Sequence, residues 1–281
     1  MTVRIATVAQ GFGRDLDECL AAAGRLIEQA RADSVQLLVL PEAALGGYLA
    51  DLSGGAGTDL PPALDPEGPE VTRLSAMAGE TVVCAGYCEL DSGVRYNSAV
   101  CVNGDGILGR YRKVHQPLGE NASYAPGDRI AAFDTPVGRM GMLICYDKAF
   151  PEAARALALD RAEVVACLSA WPASATDQAP DLADDRWTQR FDLFDRVRAL
   201  ENQVVWAASN QAGTAGSMRF VASAKIVDAA GAVLATTGTQ AGVATADVDV
   251  TGSLAQARRS MFHLRDRRPD VYAAKQLAAT A

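Results

Sequence analysis

Short apolar runs of strand length recur along the chain and are separated by segments whose apolar residues repeat every three or four positions. That alternation predicts strands over residues 4–10, 36–41, 81–90, 98–102, 139–145, 163–169 and 203–209. Helices are expected between them, over residues 15–32, 69–78, 151–160 and 186–202. Two stretches depart from the pattern. Residues 96–111 and 222–235 each read as a hairpin, turning at Asn103-Gly104-Asp105-Gly106 and at Asp228-Ala229-Ala230-Gly231. Hairpins and helix crossovers together imply a mixed sheet inside a layered α/β domain. No Pro/Gly/Ser-rich linker divides the 281 residues, so the expected organisation is one domain over 1–281. The Gly-rich piece at 53–69 reads as a surface loop, with a place over an active site as its functional reading.

Charge narrows the function classes. The formal net charge of -8 provides no basic field for nucleic acid, whose binding depends on neutralising phosphates. The first ten residues lack the tripartite pattern of a signal peptide, and no apolar run reaches the ~20 residues that span a bilayer. A cytoplasmic protein with no membrane or nucleic-acid partner is the expectation. Six cysteines lie scattered in apolar segments rather than at disulfide or zinc spacings, and the close pair Cys84 and Cys88 reads as buried strand thiols.

Among those thiols Cys145 has a distinctive place. It ends the apolar run Arg139 to Cys145, shortly before a helix that opens at Pro151-Glu152. Catalytic groups of α/β sheets sit at such carboxyl ends of strands, although a buried strand cysteine is the plain structural alternative. A nucleophilic thiol needs a base. The chain offers only two histidines, His115 and His263, so a carboxylate is an equally open choice. Glu42 follows the buried-looking run Leu37 to Pro41, where a solvated glutamate would be out of character, although a surface-loop glutamate or a helper at a helix start is an equally open reading. Lys113 ends the second strand of the first hairpin, and Glu120 lies in the Pro/Gly-bearing loop beyond it.

Together these residues run Glu, Lys, Glu, Cys along the chain. The segments 37–42, 109–115, 120–127 and 141–152, with 198–203, 209–211 and 266–270, resemble the signature blocks of the nitrilase superfamily of carbon–nitrogen hydrolases. The resemblance implies a four-layer α-β-β-α sandwich and a catalytic set of Glu42 as base, Lys113 as oxyanion stabiliser, Cys145 as nucleophile and Glu120 as a second carboxylate. It also implies acid release through a thioester, with neither metal nor organic cofactor. A homodimer or larger assembly is implied as well, with the segment after Cys145, the helix at 186–201 and a tail at 258–281 in subunit contacts.

Cys145-Tyr146-Asp147 looks like the amidase and carbamoylase branches, which favours an amide over a nitrile. Where related enzymes clamp a substrate carboxylate with arginine, this chain has Lys148-Ala149. Lys148 is thus expected to make at best one contact to substrate, and a neutral or cationic amide is preferred. Asp177, Asp181, Asp184 and Asp185 would favour a cation, or simply line a solvated loop. Trp171 resembles a pocket residue of the superfamily, and Tyr48 and Tyr146 are further candidate walls. The competing readings are a nitrilase or N-carbamoyl amidohydrolase, an acyltransferase, and a catalytically silent scaffold on the same fold.

Overall fold

The computed structural model describes residues 1–52 and 59–272. Its first half contains β1 (Thr2–Ala9), α1 (Leu16–Ala32), β2 (Leu37–Val39), β3 (Ala63–Leu64), α2 (Pro69–Ala78), β4 (Val82–Asp91), β5 (Val94–Asn103) and β6 (Gly106–Arg112). The second half begins with β7 (Phe133–Thr135), β8 (Gly138–Ile144), α3 (Pro151–Leu159), β9 (Val164–Ser169), α4 (Arg186–Asn202) and β10 (Val205–Asn210). A hairpin of β11 (Ala212–Ala215) and β12 (Met218–Val221) follows, then β13 (Lys225–Val227), β14 (Val233–Thr236), β15 (Gly242–Asp249), α5 (Val250–Ser260) and α6 (Pro269–Tyr272).

Helix ends follow their local chemistry. The Asp15 and Asp185 carboxylates accept backbone N–H groups at the starts of α1 and α4, and Pro69 and Pro151 open α2 and α3. β1 pairs in parallel with β2 and antiparallel with β15, whereas it meets β10 at the single pair Ala9 and Asn210. β10 takes β13 over Trp206 to Ala208 instead. The hydrogen-bonded strands therefore divide into two halves, β6-β5-β4-β2-β1-β15 and β14-β13-β10-β9-β8-β7.

Side-chain alternation turns these halves into layers. Val3, Ile5, Leu37, Val39, Val82 and Cys84 face a core shared with Met140, Met142, Ile144 and Cys167 of the other half. Their neighbours Ala6, Val8, Leu38, Leu40, Val83 and Ala85 pack outward against Leu20, Ala23 and Ile27 of α1 and Leu74 of α2. Ala153, Ala154 and Leu157 of α3, with Phe191 and Ala199 of α4, cover the far side. The result is the expected α-β-β-α sandwich.

Several elements differ from the sequence reading. β15 runs beside the whole of β1, yet its run Gly-Val-Ala-Thr-Ala-Asp-Val-Asp has only two bulky apolar residues and does not read as a strand from sequence. The β11–β12 hairpin was also missed. The strand expected over 36–41 shortens to β2, because after Val39 the chain leaves the ladder toward the site. Residues 53–58 of the expected loop lie outside the described residues, and Ala63–Leu64 pairs with β4. Of the expected tail, 273–281 lies outside the described residues. No described helix is long and apolar enough to cross a membrane.

Candidate active site

The carboxyl ends of β2, β8 and β9 converge at the end of the sandwich, where loops leave the sheets. Glu42 follows β2 and is wholly buried. Its backbone crosses β4 at Gly86, where an added Cβ would stand 2.4 Å from Ala43 N and 2.6 Å from Glu42 Cα. Only a glycine admits so close an approach. On the other sheet, Ser209 Oγ donates to Leu40 O at 2.8 Å and Gln211 Nε2 to Glu42 O at 2.8 Å, fixing the segment from both sides.

Lys113 and Glu120 are also wholly buried, so their charges require partners. Lys113 Nζ lies 2.9 Å from Glu42 Oε1 and 2.8 Å from Glu120 Oε2. Asn97 Nδ2, from β5, donates to Glu42 Oε1 at 2.6 Å and to Glu120 Oε1 at 2.7 Å. The Ala170 N–H donates to Glu42 Oε2 at 2.6 Å, and the Tyr48 hydroxyl to Glu120 Oε1 at 3.0 Å. Burial, reinforced by Glu42, raises the Glu120 pKa in spite of Lys113. For Lys113 burial acts downward, but the fields of Glu120 and Glu42 outweigh it and hold the ammonium charged well above its usual range.

Cys145 begins a 3-10 turn, Cys145–Ala149, with φ 50°. A non-glycine residue rarely adopts that left-handed conformation, and surrounding contacts must hold it there. Asp147 supplies them. Its Oδ2 accepts the Ile144 N–H at 3.0 Å and the Tyr111 hydroxyl at 2.7 Å, and its Oδ1 accepts the His115 N–H at 2.9 Å. The turn carrying Cys145 is thereby tied to the chain on both sides of Lys113. Burial pushes the Cys145 thiol well above its usual range, Glu42 adds to the effect, and Lys113 and the Ala170 N–H oppose it.

Cys145 opens on a cavity of about 490 Å³ whose wall includes Tyr48, Tyr146, Trp171, Trp187 and Met218. The structure thus brings together Glu42, Lys113, Glu120 and Cys145, and puts Tyr48, Tyr146 and Trp171 on the cavity wall. Grooves of about 540 and 630 Å³ elsewhere hold none of these residues. His115 Nδ1 lies 2.8 Å from Asp147 Oδ1 and its ring stacks on Phe150, while His263 is placed beside Met261; neither is the partner of Cys145.

The expectation for Lys148 is corrected. It is absent from the cavity wall and wholly buried, its Nζ 2.8 Å from Asp195 Oδ1 and 3.0 Å from the Phe191 ring centroid. An ammonium so enclosed is held by the nearest buried carboxylate and has no route to substrate. The acidic loop also divides: Asp181 and Asp185 cap helix starts, and none of the four acids lines the cavity. Sequence reasoning missed Asn97 and Asp147, although a polar residue inside an apolar strand, as Asn97 is, was a signal available to it.

Comparison with known proteins agrees with this fold. Residues 2–258 match the family model described as carbon-nitrogen hydrolase. A nitrilase of Pyrococcus abyssi is 32% identical over 83% of this chain and 84% of its own. An N-carbamoylputrescine amidase of Arabidopsis thaliana is 30% identical over 92% of this chain and 90% of its own. The crystal structure of a carbon-nitrogen hydrolase from Helicobacter pylori G27 superposes with a TM-score of 0.81 at 26% identity, covering 96% of this chain and 97% of that one. By the extent of the family match and the fold that carries it, this chain belongs to the carbon-nitrogen hydrolase family.

Proposed function

We propose that this carbon–nitrogen hydrolase cleaves a neutral small-molecule amide through a thioester on Cys145. The observation that carries this reading is the buried carboxylate–ammonium–carboxylate cluster of Glu42, Lys113 and Glu120, packed behind a cavity onto which the Cys145 thiol opens. A neutral thiol must lose its proton as it attacks, and Glu42 is the acceptor in this reading. Sγ bonds to the carbonyl carbon, and the C=O π pair moves to oxygen, where Lys113 and the Tyr146 N–H stabilise the oxyanion. When the intermediate collapses, the C–N bond breaks and Glu42 returns the proton to the leaving nitrogen. Water then adds to the thioester with Glu42 again taking a proton, and the acid leaves as Cys145 is reprotonated. Glu120 holds Lys113 and is a positioning group in this cycle.

The charge balance of the cavity supports a neutral substrate. Lys148 is committed to Asp195, while the charged side chains among the described residues of the cavity wall are the exposed Asp51 and Arg219. Similarity to enzymes named as amidases supports the amide. We also propose a cytoplasmic homo-oligomer, consistent with six unpaired cysteines and with the exposed Leu193 and Leu200 on α4. Light scattering on the purified protein tests the assembly.

The activity is tested by ammonia release from amides, nitriles and N-carbamoyl compounds beside a Cys145→Ala control, with intact mass spectrometry for an acyl adduct. Amide turnover that the control lacks is expected. Turnover confined to nitriles or carbamoyl compounds would reject the amide assignment, and equal behaviour of both proteins would reject Cys145.

A further inference from the structure

We infer that the substrate is a primary amide whose acyl group carries an aromatic ring, an inference that rests on the amidase reading and specifies its substrate. Two features of the site lead to it. The first is the contrast between the cavity and what lies behind Cys145. None of Glu42, Lys113, Glu120 or Asn97 lines the cavity, whose wall includes Cys145, Tyr48 and Ala170. Glu42 is enclosed by donors from Asn97, Lys113 and Ala170, so a nitrogen approaching it meets a packed polar cluster. An unsubstituted NH2 can face that cluster, whereas an alkyl group on the nitrogen would have to displace its hydrogen bonds. Ammonia is the leaving group that fits.

The second feature is the acyl side. A substrate of acetamide's size leaves most of a cavity of about 490 Å³ unfilled and its apolar wall wet. Two indoles stand on that wall. Trp171 and Trp187 stand with ring centroids 5.8 Å apart at an interplanar angle of 52°. Trp171 Nε1 donates to the Trp187 backbone oxygen at 3.1 Å, so its polar edge is satisfied within the protein. Phe191, 5.8 Å from the Trp171 ring, and Phe194, 6.2 Å from it, fix its orientation. Such a preorganised pair takes a third ring edge-to-face or offset, and the unbranched thioether of Met218 can pack against its edge. An anionic acyl group gains little here, because Arg219 is exposed to solvent and shares the rim with Asp51.

The closing experiment compares kcat/KM, by ammonia release, for acetamide, 3-phenylpropanamide, its N-methyl amide and succinamate. On the wild-type protein 3-phenylpropanamide is expected to exceed acetamide by on the order of 10²-fold, in line with what apolar pocket contacts contribute to specificity. Both succinamate and the N-methyl amide should fall at least about tenfold below it. Two variants, Met218→Trp, which narrows the cavity, and Trp187→Ala, which removes part of its aromatic wall, should each reduce the aryl-to-acetamide ratio. The ratio controls for overall loss of folded enzyme.

Acetamide or succinamate turned over as well as the aryl amide would overturn the aromatic assignment while leaving the amidase reading intact. Preference for the N-methyl amide would overturn the primary-amide assignment. Absence of both ammonia and a Cys145 adduct across a wider amide panel would remove the amidase reading and this inference with it.

Discussion

The surroundings of Cys145 favour its protonated thiol, which bears on when the proton must move. Burial and the field of Glu42 raise its pKa above that of an unfolded cysteine. The folded chain therefore retains a proton that the unfolded chain loses above about pH 8.5. The associated stabilisation is fully present at neutral pH and is lost as pH rises through the higher folded value. We expect the thiolate absorbance of wild type minus that of Cys145→Ala to stay flat up to about pH 9. A thiolate titrating near neutrality would mean that Cys145 is activated before substrate arrives. At this scale strand ends and adjoining loops marked Glu42, Lys113, Glu120 and Cys145 as candidates, and only the resemblance of the surrounding segments to a known family joined them into a set. Asn97 was not legible in this way, since its amide gains meaning only when two carboxylates distant in sequence arrive on either side of it.

Among the elements, α4 departs most from the pattern that predicted it. Its periodicity suggested an apolar face, yet its buried side includes Asp195, Arg198 and Asn202. Arg198 Nε donates to Lys148 O at 2.7 Å and Nη2 to Ala149 O at 3.1 Å, so the helix supports the turn that starts at Cys145. Asp195 lies between Lys148 and Lys225, and its Oδ1 also accepts the Trp206 Nε1–H at 2.9 Å. Burial alone would raise the Asp195 carboxyl, but the two ammonium groups outweigh it and hold it below the usual carboxylate range. Its contribution is present above about pH 3.9 and is lost as pH falls through the lower folded value. Removing the shared carboxylate strands two buried cations. Asp195→Ala is therefore expected to cost about 3–5 kcal/mol in urea denaturation. A loss below about 1 kcal/mol would mean that water or movement of the lysines replaces the carboxylate. The helix was visible as a repeat, whereas its polar core was not, because periodicity records burial and cannot identify partners on β13 and the turn after β8.

For the whole molecule, the site exists only where the two sheets face each other. Glu42, Asn97 and Lys113 belong to the first, Cys145 and Ala170 to the second, and Ala170, Ser209 and Gln211 bind across to the segment 40–42. Separation of the sheets must break the site at once. Activity and the fluorescence of Trp171, Trp187 and Trp206, all in the second half, should therefore be lost at coincident denaturant concentrations. Loss of activity well before fluorescence would show that the site opens while the core stays closed. Taken alone, the sequence determined the alternation of strands and helices and the net negative charge, because these depend on residue type and local spacing, and the order of Glu42, Lys113, Glu120 and Cys145 acquired a reading through resemblance to a known family. Tertiary structure decided that β15 completes the first sheet, that Lys148 turns to Asp195, and that Trp187 and Met218 share a cavity wall with Cys145. Those outcomes depend on which distant groups are left to satisfy a buried charge or fill a cavity, and only the folded chain brings them within reach.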